Sequence, residues 1–325
     1  MAAKGFSSHG KSPEGRFSST RGDVKIYRHK TPGGNFGDDL NLCLWPQIFP
    51  EIEEIHPDVM LLGVGTVLAG SWPGRKVVLG SGLGRGKRVR HDQSWTHYWV
   101  RGPLTAKLLG LDADKAISDS AVLWPDMPRP RDDAAGVGLL PHHASFQQFD
   151  WQIVAKQCGF TLIDPRQSPA SVAGQIATCR KLLTESLHGA IFADVMRIPW
   201  ACYIGARRFD PFKWDDWKAS LQITGEALVL DRPLSSSAPS ISVRAKAVTA
   251  TLATRLGMAD RHRSLVPRHA STTQDVRAFC DQLVRYGSDE SSFRLSDAKA
   301  LDRSLQRMGE KLEQFAKDFG LRLSR

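Results

Sequence analysis

Residues 181–204 read KLLTESLHGAIFADVMRIPWACYI. KLLT and WACYI are short apolar runs of strand character, and HGAIFADVM between them predicts a helix. Strand, crossover helix and strand make one βαβ unit, which sets the two strands parallel. Ligands of such sheets bind beyond the carboxyl ends of the strands. The polar run Thr184-Glu185-Ser186-Leu187-His188-Gly189 therefore falls where chemistry is expected. His188 is placed in the first turn of the helix, beside N–H groups that have no partner within it. There an imidazole can donate to a phosphate or move a proton near neutral pH. Glu185 is a candidate to orient His188 or to act as an acid or base itself, and Gly189 keeps the backbone open. The plainer alternative is a capping Ser186 and a histidine satisfied within the protein. Position at a strand's carboxyl end favours the functional reading.

The same alternation extends in both directions. VKIYRH (24–29), DVMLLG (58–63), KVVLG (76–80), HYWV (97–100) and KAIS (115–118) predict strands of a first series. Helices are expected after the turn GGNFGDD, with Asp38 or Asp39 as N-cap and Pro46 as an interruption, and over PLTAKLLG. PDMPRPRDD (125–133) carries three prolines and reads as a linker. A second series follows: strand VGLLP (137–141), one helix over SFQQFDWQIVAKQCG, strand FTLID, and a helix over SPASVAGQIATC capped by Ser168. The quoted βαβ unit and the strand ALVLD (227–231) complete it. Two parallel series joined by a Pro-rich linker predict an α/β protein of two Rossmann-like domains with a cleft between them.

Beyond residue 240 the pattern is helical. Val248, Leu252 and Leu256 share one face of a first helix. Ala298, Leu301, Leu305, Met308, Leu312, Phe315 and Phe319 form a stripe with Ser296 as N-cap and Gly320 as stop. That stripe reads as core packing or a dimer seam, on a helix that packs back across both halves. The expected organisation is a disordered basic tail (1–22), an acceptor-side domain (23–124), the linker (125–133), a donor-side domain (134–239) and a helical C-terminal extension (240–325).

Composition narrows the function. The 325 residues are 41% hydrophobic and 24% charged, an ordinary globular mixture. No apolar run approaches the roughly 20 residues of a membrane span. The N-terminus lacks the apolar core of a secretory signal. Five scattered cysteines without a CxxC pair speak against a disulfide framework or zinc cluster, and a reducing cytoplasm is expected. The net charge of +10 is spread over the tail, residues 75–101 and the C-terminal region. No nucleic-acid-binding signature accompanies it, so no nucleic acid partner is expected. An anionic substrate or anionic membrane surface fits the charge.

Two further glycine-rich turns stand at strand ends. Gly33-Gly34-Asn35-Phe36-Gly37-Asp38-Asp39 can bring backbone N–H groups to an anion at a helix N-terminus, or be a tight turn alone. Gly80-Ser81-Gly82-Leu83-Gly84-Arg85-Gly86 departs from the dinucleotide fingerprint; it reads as a flexible acceptor-binding loop or, more simply over Arg85 to Arg90, as a plain loop.

NFGDDLN, VRGPLTAKLLG, ISDSAVL and TESLHGAIFADVMRIPW, taken in this order and spacing, resemble the polysaccharide pyruvyl transferase family, most of all its bacterial exopolysaccharide members. The resemblance runs from about residue 24 to 220. It implies a GT-B-like fold and transfer of pyruvate from phosphoenolpyruvate to a sugar as a ketal, commonly on a lipid-linked repeat unit. It assigns His188 and Gly189 to the donor phosphate, and matches Arg101, Asn35, Gly37 and Asp38 to family positions. Two departures stand out. Ser186 occupies a position where many members carry arginine, and the strand before Pro141-His142-His143 ends without the arginine many members have. His142 could replace one cation, and Arg207, Arg208 or Lys213, in the loop after WACYI, the other. Asp38, Asp119 and Glu185 are base candidates; no metal or cofactor is expected, phosphoenolpyruvate being the donor substrate. The resemblance also implies a glycan acceptor, and the basic charge favours peripheral contact with the inner face of an anionic membrane, where lipid-linked acceptors reside. Two rivals remain: a nucleotide-sugar glycosyltransferase on the same fold, and a degenerate glycan-binding relative that has lost its donor site with those arginines.

Overall fold

The computed structural model describes residues 25–52, 58–85, 87–206, 208–257, 265–267 and 269–324. The expected tail (1–22) and Arg207 lie outside the described residues.

The chain builds two parallel sheets. In the first, β1 (Lys25–Ile26), β2 (Val59–Leu62), β3 (Arg75–Leu79) and β4 (Trp95–Trp99) stand in chain order. The second holds β5 (Val137–Leu140), β6 (Thr161–Leu162), β7 (Lys181–Thr184), β8 (Trp200–Ile204) and β9 (Leu228–Val229) in the order β6-β5-β7-β8-β9. Every strand pairing is parallel. The order of the second sheet reverses between β5 and β7, and such a reversal opens a crevice at the strands' carboxyl ends. His142 and His143 follow β5, and Glu185 to His188 follow β7, so this crevice is the one that the sequence fills with polar residues.

Helices α1 (Phe36–Ile48), α5 (Pro169–Ala177) and α6 (Leu187–Val195) meet between the sheets. Phe36, Leu40 and Leu44 of α1 share one buried apolar cluster with Val172 and Ile176 of α5 and Ile191 and Phe192 of α6. The two halves are thus joined by hydrophobic burial, the main non-directional driving force of folding. Helix α2 (Pro103–Leu109) starts with Pro at its first turn and stops at left-handed Gly110, as the sequence indicates.

Several local expectations are corrected. Helix α1 is capped by Asn35, not by Asp38 or Asp39; the Asn35 carboxamide oxygen accepts from the Gly37 N–H at 3.3 Å. Pro46 does not interrupt α1: one missing helix bond near its end is outweighed by the buried Trp45, Ile48 and Phe49 around it. KAIS forms a single bridge, Val100 to Ala116, beside β4 rather than a strand. The long helix expected after β5 is two, α3 (His143–Phe146) and α4 (Trp151–Cys158), because Asp150 restarts the chain as a new N-cap.

The largest correction concerns residues 211–220. The sequence reading left Lys213 in a loop, yet α7 (Pro211–Ser220) is a helix that leaves the second series and packs against α2 of the first. Its Asp216 is fully buried and anchors the contact. One carboxylate oxygen accepts from Arg101 Nε at 3.1 Å and from the Thr105 hydroxyl at 2.6 Å, and the other from the Thr105 N–H at 2.9 Å. Arg101 is equally buried, with further bonds to Thr66 and the Leu83 carbonyl.

Past residue 240 stand α8 (Ile241–Arg255), α9 (Thr273–Ser288) and α10 (Ala298–Phe319). Helix α9 covers the second half through α4. Asp297, not Ser296, caps α10; the Ser296 hydroxyl and N–H instead donate to buried Asp194 of α6. At its other end Phe315 packs on Phe49 and Tyr98 of the first half, and the Tyr98 hydroxyl donates to Asp318 at 2.7 Å. The predicted stripe of α10 is core: Met308 and Phe315 are buried.

Removing one member of a buried ion pair leaves the other charged and desolvated. Asp216→Ala is expected to lower the unfolding free energy by about 3–5 kcal/mol, read from the denaturation midpoint, whereas Asp215→Ala on the exposed side of α7 changes it by under about 0.5 kcal/mol.

Candidate active site

The site is built where the carboxyl ends of both sheets face each other. From the first half comes the turn into α1. Asn35 Nδ2 and the Thr31 hydroxyl each donate to Asp38 Oδ2 at 2.8 Å, which fixes that carboxylate in the first turn. Gly33 and Gly34 have positive φ, and their missing side chains admit protein rather than ligand. A Cβ on Gly34 would lie 2.8 Å from the Arg166 carbonyl oxygen. The Phe36 N–H donates to the Pro165 carbonyl at 3.0 Å, and Gln147 to the Pro32 carbonyl at 2.8 Å. The glycine turn is thus a docking loop against the second half.

From the second half comes α6. Ser186 is its N-cap, accepting from the Gly189 N–H at 3.3 Å. Gly189 is required by packing, since a Cβ there would stand 2.4 Å from Leu140. His188, one residue into the helix, lies against the first turn of α1, where a Cβ on Gly37 would come within 1.9 Å of its Nδ1. Across the gap, His188 Nε2 stands 3.9 Å from Asp119 Oδ2. Asp119 belongs to the first half; its other oxygen accepts from the Ala121 N–H at 3.0 Å and caps a short 3-10 turn, Ser120–Leu123. Both facing atoms, Nε2 and Oδ2, are buried and without a hydrogen-bond partner. Most buried polar atoms are paired, so two unpaired ones that face each other make this pair a candidate site.

The surroundings shift both titrations. Burial raises the Asp119 carboxyl to about 6, against a lowering by Arg101. Burial, with the positive charges of Lys213 and Arg101, lowers the His188 imidazole to about 3, so it is neutral near pH 7. Lys213, in the first turn of α7, is itself lowered, chiefly by burial, and feels the carboxylates of Asp210 and Asp38. It makes no ion pair among the described residues, while its charge acts on His142, His143, His188, Asp119 and Glu185. His143 Nδ1 is a third buried orphan, and Asp38 raises this ring against the lowering by burial.

A family model described as polysaccharide pyruvyl transferase matches residues 33–204, just over half of the chain. The chain belongs to the polysaccharide pyruvyl transferase family. It is 35% identical over 212 residues to the succinoglycan biosynthesis protein ExoV of Rhizobium meliloti (strain 1021), an alignment covering 62% of this chain and 66% of that relative. No solved structure matches the chain. The region matched to the pyruvyl transferase family runs from the α1 turn to the end of β8, and so carries Asp38, Asp119 and His188 but ends before Lys213.

The structure brings together Asn35, Gly37, Asp38, Asp119, Ser186, His188 and Gly189. Others serve differently. Glu185 accepts from the Gly205 N–H at 2.7 Å and the His142 N–H at 3.3 Å, tying the ends of β5, β7 and β8. Among the described residues it makes no hydrogen bond or ion pair to His188, and burial raises its carboxyl. His142 caps α3 through Nδ1, which accepts from the Ala144 N–H at 3.3 Å; burial pushes the ring well below its ordinary value, so it is no cation. Arg101 is spent on Asp216, Thr66 and Leu83 and reaches the site only through its field. Arg208 lines a small cavity of about 20 Å3 with His142, Glu185 and Lys213.

Sequence reading passed over His143 and Asp216. The signal for Asp216 was available: Asp210-Pro211 before a run free of Gly and further Pro is a helix start, and recognising α7 would have moved Lys213 out of a loop.

A carboxyl held above its ordinary value destabilises the fold once ionised. Its protonated form is present in both folded and unfolded chains below about pH 4, and the penalty grows as pH rises through about 6. Asp119→Asn keeps the cap to Ala121 without that penalty. It is expected to raise the unfolding free energy by up to about 3 kcal/mol at pH 7, the gain vanishing near pH 4 in denaturant titrations at the two pH values.

Proposed function

We propose that the protein transfers the pyruvyl group of phosphoenolpyruvate to two hydroxyls of a sugar in an exopolysaccharide precursor, forming a ketal and releasing phosphate. The reaction would take place in a GT-B-like cleft between the two parallel α/β units, with the donor on the second unit and the acceptor on the first. One observation carries the reading: a neutral imidazole and a carboxyl whose pKa is raised to about 6, contributed by different units, face each other at 3.9 Å, with neither facing atom in a hydrogen bond. Family membership and the likeness to a succinoglycan biosynthesis protein support the same chemistry.

Ketal formation from an enol phosphate needs a proton at the methylene carbon, a base for the first hydroxyl and cationic support for phosphate and carboxylate. Asp119, protonated in part at its raised value, gives its proton to the methylene carbon, and the neighbouring carbon becomes oxocarbenium-like. The first hydroxyl adds there as His188, neutral, takes its proton. The C–O bond to phosphate then breaks with its electron pair on the phosphate oxygen, which takes the proton from His188. The second hydroxyl adds to the new oxocarbenium centre and returns a proton to Asp119. Lys213 and the N-terminus of α6 hold the anionic groups, with Arg208 at the entrance. Lys213 thereby takes the part of an arginine that the sequence lacks. The acceptor is read as a lipid-linked sugar met at the inner face of a membrane, which fits the net charge of +10.

Neither rival gains support from the glycine turns. A nucleotide diphosphate would need open backbone at residues 33–34 or 80–84, yet Cβ atoms on Gly34, Gly80 and Gly82 would collide with Arg166, Ser120 and Arg101. A degenerate site would be expected to have its polar atoms satisfied internally.

Incubation with phosphoenolpyruvate and a succinoglycan-type oligosaccharide is expected to release one phosphate for each pyruvyl group added, followed by mass spectrometry. Phosphoenolpyruvate, but not a nucleoside diphosphate, is expected to raise the melting temperature. Release of phosphate without pyruvylated glycan, or stabilisation by the nucleotide alone, would refute the reading. Lys213→Met is expected to raise KM for phosphoenolpyruvate by about 10- to 100-fold, as loss of a charge-assisted contact does.

A further inference from the structure

Four of the large apolar side chains that the described residues leave exposed lie on α8 or at its end: Val243, Val248, Leu252 and Leu256. The last three are spaced by four residues and fall on one strip of the helix. Val248 is 70% exposed, Leu252 59% and Leu256 61%. The contrast with α10 is direct, for its apolar stripe is buried in the core. Thr251 shows which side of α8 meets the body, since it lines a cavity of about 130 Å3 with Pro233, Val266 and Asp275. The Val248–Leu252–Leu256 strip runs beside that contact and is left exposed.

The charge of the segment identifies what could cover the strip. The sequence of α8 carries Arg244, Lys246 and Arg255 and no carboxylate. From 241 to 268 it holds six Lys or Arg and a single Asp. A second copy of the same helix would bring like charges together, which disfavours self-pairing. A segment with an exposed apolar strip and a basic excess in its sequence suits the boundary of a bilayer that contains anionic lipid, which takes apolar side chains into its headgroup–acyl region and attracts basic segments to its surface.

We propose that α8 is a membrane-docking helix that seats the protein on an anionic bilayer through Val248, Leu252 and Leu256. The assignment deepens the reading of a membrane-borne acceptor and rests on it for its purpose, but its test needs neither donor nor acceptor.

The full chain is sedimented with phosphatidylcholine vesicles containing phosphatidylglycerol and, separately, with phosphatidylcholine alone. Binding to the anionic vesicles, weakened by salt, is the expected result. The Leu252→Gln/Leu256→Gln variant is expected to lose at least about ten-fold in vesicle affinity at an unchanged melting temperature, and Val248→Gln alone repeats the test. Absence of wild-type binding to anionic vesicles overturns the proposal, as does equal binding by the variants. Self-association in lipid-free sedimentation velocity that the double variant abolishes assigns the strip to a second copy and overturns it too. Pyruvyl transfer failing in its own assay leaves the vesicle result standing.

Discussion

Helix α1 carries glycine at the position where any side chain would occupy the His188 ring, with a Cβ 1.9 Å from Nδ1. Because that carbon is missing, the first turns of α1 and α6 close on each other across the gap between the two sheets. Each helix N-terminus presents N–H groups and the positive end of a helix dipole. The contact is held from both sides: Phe36 packs edge-on against Phe192 and donates its N–H to Pro165, while Gln147 reaches Pro32. Seating His188 here aims Nε2 at Asp119, so the opposition of the two side chains follows from how the halves dock.

Docking also sets the electrostatics. The carboxyl and the imidazole are driven in opposite directions by one cause, exclusion of water, and Arg101 and Lys213 add to the lowering of His188. Arg101 can sit buried because Asp216 of α7 neutralises it, and the same helix carries Lys213, whose charge acts on both His188 and Asp119. One element thus balances the buried charge of Arg101 and adds to the field at the candidate site. Both polar atoms that face the gap are unpaired at a cost to stability, an arrangement that proteins retain where function needs it.

Much of the fold was legible. The short apolar runs of the strands and the caps at Ser168, Ser186, Gly110 and Gly320 are local signals, and they place the elements where the structure has them. The crevice after β5 and β7 followed from alternation and the rule of carboxyl ends. Less legible was whatever depended on partners distant in sequence. Gly33 and Gly34 read equally as an anion cradle or a turn, because only the second half's Arg166 and Gln147 decide between them. Arg101 looked like a ligand cation until Asp216, 115 residues on, was seen to hold it. Glu185 beside His188 in sequence points to Gly205 and His142 in space. The exposure of Val248, Leu252 and Leu256 was likewise hidden, since a helical period gives a face but not what it packs against.

In the proposed function an anionic donor binds against His188 and Asp119. Placing negative charge beside a buried neutral imidazole favours its protonated form. The most direct measurement is a pH titration of the His188 ring nitrogens by 15N NMR, with and without phosphoenolpyruvate. The ring is expected to stay neutral well below pH 5 in the free protein, in keeping with a pKa of about 3, and to gain its proton at markedly higher pH once the donor is bound. Ring signals that titrate at their ordinary value in the free protein, or that ignore saturating phosphoenolpyruvate, would contradict this expectation.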